Sequence, residues 1–193
     1  MRYKTFVVKH RRRREGRTDY KARLRLLRSG KPRLVVRRSN AGLLCQVVEY
    51  TKAGDKVIAF AHSRELKNYG WPGHGGNLPA SYLTALLCAV KAKKKHVKEA
   101  VADLGLYPST KGSRLYGAIK GAVDGGLQVP HSKDILPTED RIKGAHIAAY
   151  AEKMKKEHHK EYEKRFSQYL KHGVFPEAVP EKFEQARQRI LAS

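Results

Sequence analysis

The stretch "KPRLVVRRSNAGLLCQVVEYTKAGDKVIAFAH", residues 31–62, decides the fold. Three runs rich in β-branched and apolar residues occupy 33–38, 43–50 and 56–62. The connectors "SNAG" and "TKAGD" between them are short and carry turn formers. Runs of this length with such connectors predict an antiparallel β-meander of two tight hairpins. The middle run is apolar at consecutive positions, as expected of a strand covered on both sides.

On the N-terminal side, Thr18 is placed as a helix N-cap with Asp19 in the positive first turn. Tyr20, Leu24 and Leu27 follow at i, i+4 and i+7 and predict one apolar stripe. "SGKP" (29–32) stops this helix. Residues 1–17 have no hydrophobic period and predict an extended basic arm that a partner orders.

On the C-terminal side, "ELKNYGWPGHGGNLP" (65–79) is a glycine-rich loop. Asn77 and Pro79 open a helix over 79–95 with a buried stripe of Leu83, Leu86, Leu87 and Val90. "EAVADLGL" (99–106) predicts a short strand. Ser113 caps a helix over 113–124 whose apolar face is Leu115, Ala118, Ile119, Ala122 and Val123, and Gly125 and Gly126 end it. Residues 137–172 are expected to be helical, broken near Gly173, with a last helix over 177–192. There is no internal repeat. The order predicts an α/β protein with a mixed sheet and helices on its faces. Its parts are an arm (1–17), an α/β domain (18–136) and a helical extension (137–193).

The chain has 41 Lys plus Arg against 18 Asp plus Glu in 193 residues, a formal net charge of +23. Residues 1–40 alone hold 16 basic and 2 acidic residues. That density needs a polyanion, and nucleic acid comes first because phosphates accept arginine forks and counterion release drives binding. An anionic membrane is the weaker partner, since no run approaches 18 apolar residues and no signal-peptide core is present. The chain is expected to be soluble and intracellular, with no small-molecule substrate and no cofactor.

The candidate RNA-binding residues follow this charge. In the arm they are Arg2, Tyr3, Lys9, the run Arg11, Arg12, Arg13 and Arg14, and Arg17. The first helix adds Tyr20, Lys21, Arg23 and Arg28. The meander adds Lys31, Arg33, Arg37, Arg38, Ser39 and Asn40. Tyr69, Trp71 and His74 of the glycine loop complete the set, the two aromatics as stacking rings for unpaired bases. For Trp71 a place in the core competes with this role.

The rival class is a metal-dependent nuclease, which needs clustered carboxylates. Asp55, Asp103 and Asp124 are scattered, and none is paired at a ligand spacing. His131, Ser132 and Asp134 have triad residue types but crowd into one loop, which poorly suits the required geometry. The nine histidines show no metal spacing. Asp124 is odd, since a negative charge at a helix C-terminus needs compensation. Cys45 and Cys88 lie on apolar patterns without CxxC spacing and are expected to be reduced and buried.

Three motifs in order, "FVVKHRRRREGRTDYKARLRLL" (6–27), "GAIKGAVDGGLQVPHS" (117–132) and "RFSQYLKHGVFPE" (165–177), carry a resemblance over about residues 2–190. The chain resembles the 5S-rRNA-binding family of the large ribosomal subunit, called L eighteen in archaeal naming and L five in eukaryotic naming. The tight connection between "KAKKKH" and "EAVADLGLY" resembles the archaeal form. The resemblance implies a ribonuclease-H-like, three-layer α/β/α sandwich without catalysis. It also implies binding to 5S rRNA, contacts to the large-subunit rRNA and to neighbouring ribosomal proteins, and a place in the central protuberance.

Overall fold

The computed structural model describes residues 7–171 and 173–193. Arg2 and Tyr3 lie outside the described residues. The meander forms as expected, with β1 at Arg33–Arg38, β2 at Leu43–Thr51 and β3 at Gly54–His62. A short fourth strand, β4 (Val101–Asp103), pairs parallel with β1, so the sheet is mixed with order β3-β2-β1-β4.

Alternation along the strands makes two unlike faces. The cross-strand sets Leu34–Val47–Ala59 and Val36–Cys45–Ala61 are buried and form the core face. The other face carries Arg33, Val35 and Arg37 of β1, with Phe60 of β3 exposed. A bulge between Val47 and Val48 shifts the register of β3, so that Val47 pairs with Ala59 and Val48 with Val57.

The core face is covered by α3 (Leu78–Lys94), started by the Asn77 side chain, which accepts the Ala80 N–H. One apolar stripe was expected here; instead every residue from Leu78 to Ala89 is buried. The sheet lies on one side, and α4 (Arg114–Asp124) and α9 (Val179–Leu191) enclose the rest. Two polar residues survive inside because Thr84 donates to the Ala80 carbonyl and Ser81 to that of Asn77. Close approach of α3 and α4 depends on Gly121, where an added Cβ would collide with the Tyr82 carbonyl.

Cys45 and Cys88 meet between the sheet and α3, both free and buried, with the Cys88 thiol 3.5 Å from the Cys45 carbonyl. The Cys88 thiol and burial push the Cys45 thiol well above its ordinary range. The puzzle of Asp124 resolves into two contacts: its carboxylate accepts from Lys120 Nζ at 2.9 Å and from the Tyr82 hydroxyl at 2.7 Å.

The expected helical run over 137–172 is broken into four pieces: α5 (Glu139–Lys143), α6 (Ala145–Glu157), α7 (His159–Arg165) and α8 (Ser167–Lys171). Gly144 takes a left-handed φ of 87° and turns the chain between α5 and α6. The breaks let Ala151, Met154, Tyr162 and Phe166 close on one another as a second small core. The helix expected over 177–192 is α9. Its Phe183, Ala186 and Ile190 lie in the same core as the sheet, so that core crosses the 136/137 boundary.

Candidate nucleic-acid interface

The arm is not extended where it is most basic. Arg11–Arg14 form a single helical turn, α1, with no buried residue. Four consecutive residues on one turn point around nearly the whole circle. Glu15 lies 3.7 Å from Arg11 and 3.2 Å from Arg17, in exposed pairs of small energetic weight. Among the described residues Arg13 and Arg14 have no carboxylate partner.

The helix that follows, α2 (Tyr20–Leu27), is capped by Asp19, not Thr18: the Asp19 carboxylate accepts the N–H groups of Lys21 and Ala22. Thr18 instead accepts from Arg12 Nε at 2.8 Å. The expected stripe is not buried either. No residue of α2 is buried, and Leu24 is 55% exposed. The half-buried Tyr20 packs its ring against that of His10 in the arm, at 5.2 Å.

What ties α2 to the body is charge. Arg23 Nη2 reaches both oxygens of Asp55, at 2.9 and 2.8 Å. Asp55 also accepts from Arg33, Arg33 pairs with Asp103 at 2.8 Å, and Asp103 pairs with Arg37 at 2.8 Å. The five groups alternate in sign across the open side of the sheet. Burial works to raise the pKa of both aspartates, but the arginines outweigh it and hold both below the usual carboxylate range.

This ladder corrects several assignments. Arg33 is 2% exposed and locked between two carboxylates, so it is a structural residue rather than an RNA contact. Arg23 and Arg37 are partly committed, Arg37 also donating to the carbonyls of Val36 and Asp103. Lys31 is bound to Glu99 at 2.6 Å. Lys9, Lys21 and Arg28 remain exposed.

Trp71 is also corrected. It is 2% exposed and belongs to the main core, with no face for a base. Tyr69 is half-buried against the same core. The glycines of the loop do admit close backbone approach, but to protein. A Cβ at Gly76 would stand 2.6 Å from the Asn40 carbonyl oxygen, and one at Gly75 would stand 3.1 Å from that of Ala41. The loop therefore sits against the β1–β2 turn, which Ser39 closes by bonds to Gly42. This juxtaposition gathers exposed Asn40 and His74 with Arg38 on one surface. Arg38 stacks over Tyr107 at 4.9 Å, and the Tyr107 hydroxyl donates to the Arg38 carbonyl.

Arg114 was missing from the sequence-derived set. It donates to the Gly76 carbonyl at 2.5 Å and joins the same surface. A cation in the first turn of a helix opposes the dipole, and that was its signal.

A family model described as "Ribosomal large subunit proteins 60S L5, and 50S L18" matches residues 4–101 and 91–132. The chain is 55% identical over 187 residues to "Large ribosomal subunit protein uL18" of Korarchaeum cryptofilum (strain OPF8), covering 97% of this chain and 95% of the relative. It is 51% identical over 187 residues to the protein of that name from Ignicoccus hospitalis, covering 96% and 91%. The chain belongs to this family. Members of the uL18 family are structural components of the large subunit rather than enzymes. The carboxylates weighed for a nuclease fit that membership: Asp55, Asp103 and Asp124 are each spent on cations of the fold. Among the described residues, no helix is long and apolar enough to cross a membrane.

Proposed function

We propose that this uL18 family member binds 5S rRNA and helps anchor it, with contacts to the large-subunit rRNA, in the central protuberance of the cytoplasmic ribosome. Neighbouring large-subunit proteins are its further partners. The observation that carries this reading is the run of exposed cations from the α1 turn through α2 to the β1–β2 turn, on a chain of this family. Arginines fanned around one turn cannot all meet a flat surface. They reach phosphate together when RNA surrounds the turn, as between two strands. Most of these contacts position the RNA without reading its sequence. Discrimination then falls to the folded surface around Asn40, Arg38 and His74.

The test is binding of the full chain to a 5S transcript and to an unrelated structured RNA of similar length, across a salt series. Preference for 5S at physiological salt supports the reading. Equal affinity for both RNAs would reduce it to general polyanion binding.

A further inference from the structure

Between α2 and the body lies an open cleft of about 1190 Å³. We propose that this cleft seats an unpaired segment of RNA, threaded between α2 and the loops that follow β4 and α4. The proposal rests on the RNA-binding reading above and names a second place of contact, bordered by Arg12 and Arg17 of the arm and extending past Tyr107 to the loops at 104–107 and 130–131.

Three observations carry it. The first is charge. Five arginines line the cleft against three aspartates, and all three aspartates are already engaged. Asp19 caps α2, Asp55 holds Arg23 and Arg33, and Asp103 holds Arg33 and Arg37. Among the described residues Arg25 and Arg12 have no carboxylate partner, and Arg12 donates to the neutral Thr18. The lining is therefore complementary to phosphate.

The second is the opposite wall, which offers rings and apolar surface. Tyr107 and His131 are half-buried there, and Leu106 is exposed. Arginines facing such a wall match a strand whose backbone lies on one side and whose bases lie on the other.

The third is the state of α2 itself. No residue of α2 is sealed from solvent, and Tyr20, Leu26 and Leu27 are only half-buried, so its apolar packing is partial. The Arg23–Asp55 pair holds it at a stand-off instead of letting it close down on the sheet. A strand in the cleft supplies the missing partner for that inner side.

The test is ultraviolet crosslinking of the full chain to a 5S transcript and, separately, to large-rRNA fragments, with crosslinked peptides identified by mass spectrometry. Nucleotides attached within 104–107 and at His131 are expected. The exposed variant Arg25→Ala should weaken binding to the crosslinked RNA about threefold to tenfold and lower the salt slope by about 0.7. If 5S binds, crosslinks are confined to the arm and the β1–β2 surface, and Arg25→Ala is silent, the cleft is not an RNA site although the 5S reading stands. If only large-rRNA fragments bind and crosslink in the cleft, the cleft proposal is supported and the 5S reading fails. Failure to bind any RNA overturns both. Occupation of the cleft in assembled ribosomes by an acidic protein segment, crosslinked at the same residues, overturns the RNA assignment.

Discussion

Arg33 of β1 and Asp103 of β4 form a 2.8 Å ion pair beside the parallel β1–β4 seam, with both side chains nearly sealed from solvent. Stripping one partner from a buried pair leaves the other charge uncompensated. Arg33→Ala should therefore destabilise the fold by about 3 kcal/mol, the low end for such pairs because Arg37 still faces Asp103. Urea unfolding followed by circular dichroism measures this. A loss below about 1 kcal/mol would mean that the pair contributes little.

The same pair predicts a pH dependence. Asp103 and Asp55 have pKa values depressed in the folded state. Their contribution is fully present above the unfolded carboxylate value of about 4 and fades as pH falls through the lower folded values. Stability should thus drop on acidification below about pH 4. Asp103→Asn should be less stable at neutral pH and show a shallower acid limb. Parallel curves for both proteins would exclude this source.

The α1 turn predicts a change in salt dependence. Replacing Arg11, Arg12, Arg13 and Arg14 by Ala should flatten the slope of log affinity against log salt by up to about 3 units, at roughly 0.7 per phosphate for single strands. The fold should not change, because the turn buries nothing. Preference for 5S should survive in part. An unaltered slope would show the turn to be solvated in the complex.

Trp71 separates stability from binding. Its burial predicts that Trp71→Ala costs about 3–5 kcal/mol of folding free energy. Affinity per folded molecule should change little at temperatures where the variant remains native. Lost affinity with intact stability would return Trp71 to the RNA surface.

The α3–α4 contact gives a backbone test. Gly121→Ala would push the added methyl into the Tyr82 carbonyl, which cannot yield as a side-chain tip can. A loss of about 1–3 kcal/mol is expected, as for overpacked cores. Thermal melts of this variant beside Gly112→Ala, where the added atom meets open space but φ is 66°, set the cost of collision beside that of left-handed backbone strain.

The sheet was legible because its signals are local. The β-branched and apolar runs within 33–62 and the turn residues at 39–42 and 51–54 put three strands within a residue or two of their observed limits. The charged face was not legible. Arg33 has the same appearance in sequence as Arg38, and its partner Asp103 stands 70 positions away. A lone string of cations cannot show which of them the fold will neutralise. Trp71 misled for a related reason: the glycines around it suggested an open loop, while their role is to let that loop press on the β1–β2 turn. The breaks at His158 and Phe166 had no glycine or proline to announce them. They follow from the closure of the second core, a tertiary effect.

The place of α9 has a consequence for the order of events during synthesis. Helix α3 leaves the ribosome well before α9, yet Phe183, Ala186 and Ile190 supply part of the shell that shields it. Until they arrive, the most apolar helix of the nascent chain has an uncovered flank. The central core can therefore be finished only late in translation, and α3 is the segment that chaperones would find exposed on an interrupted chain.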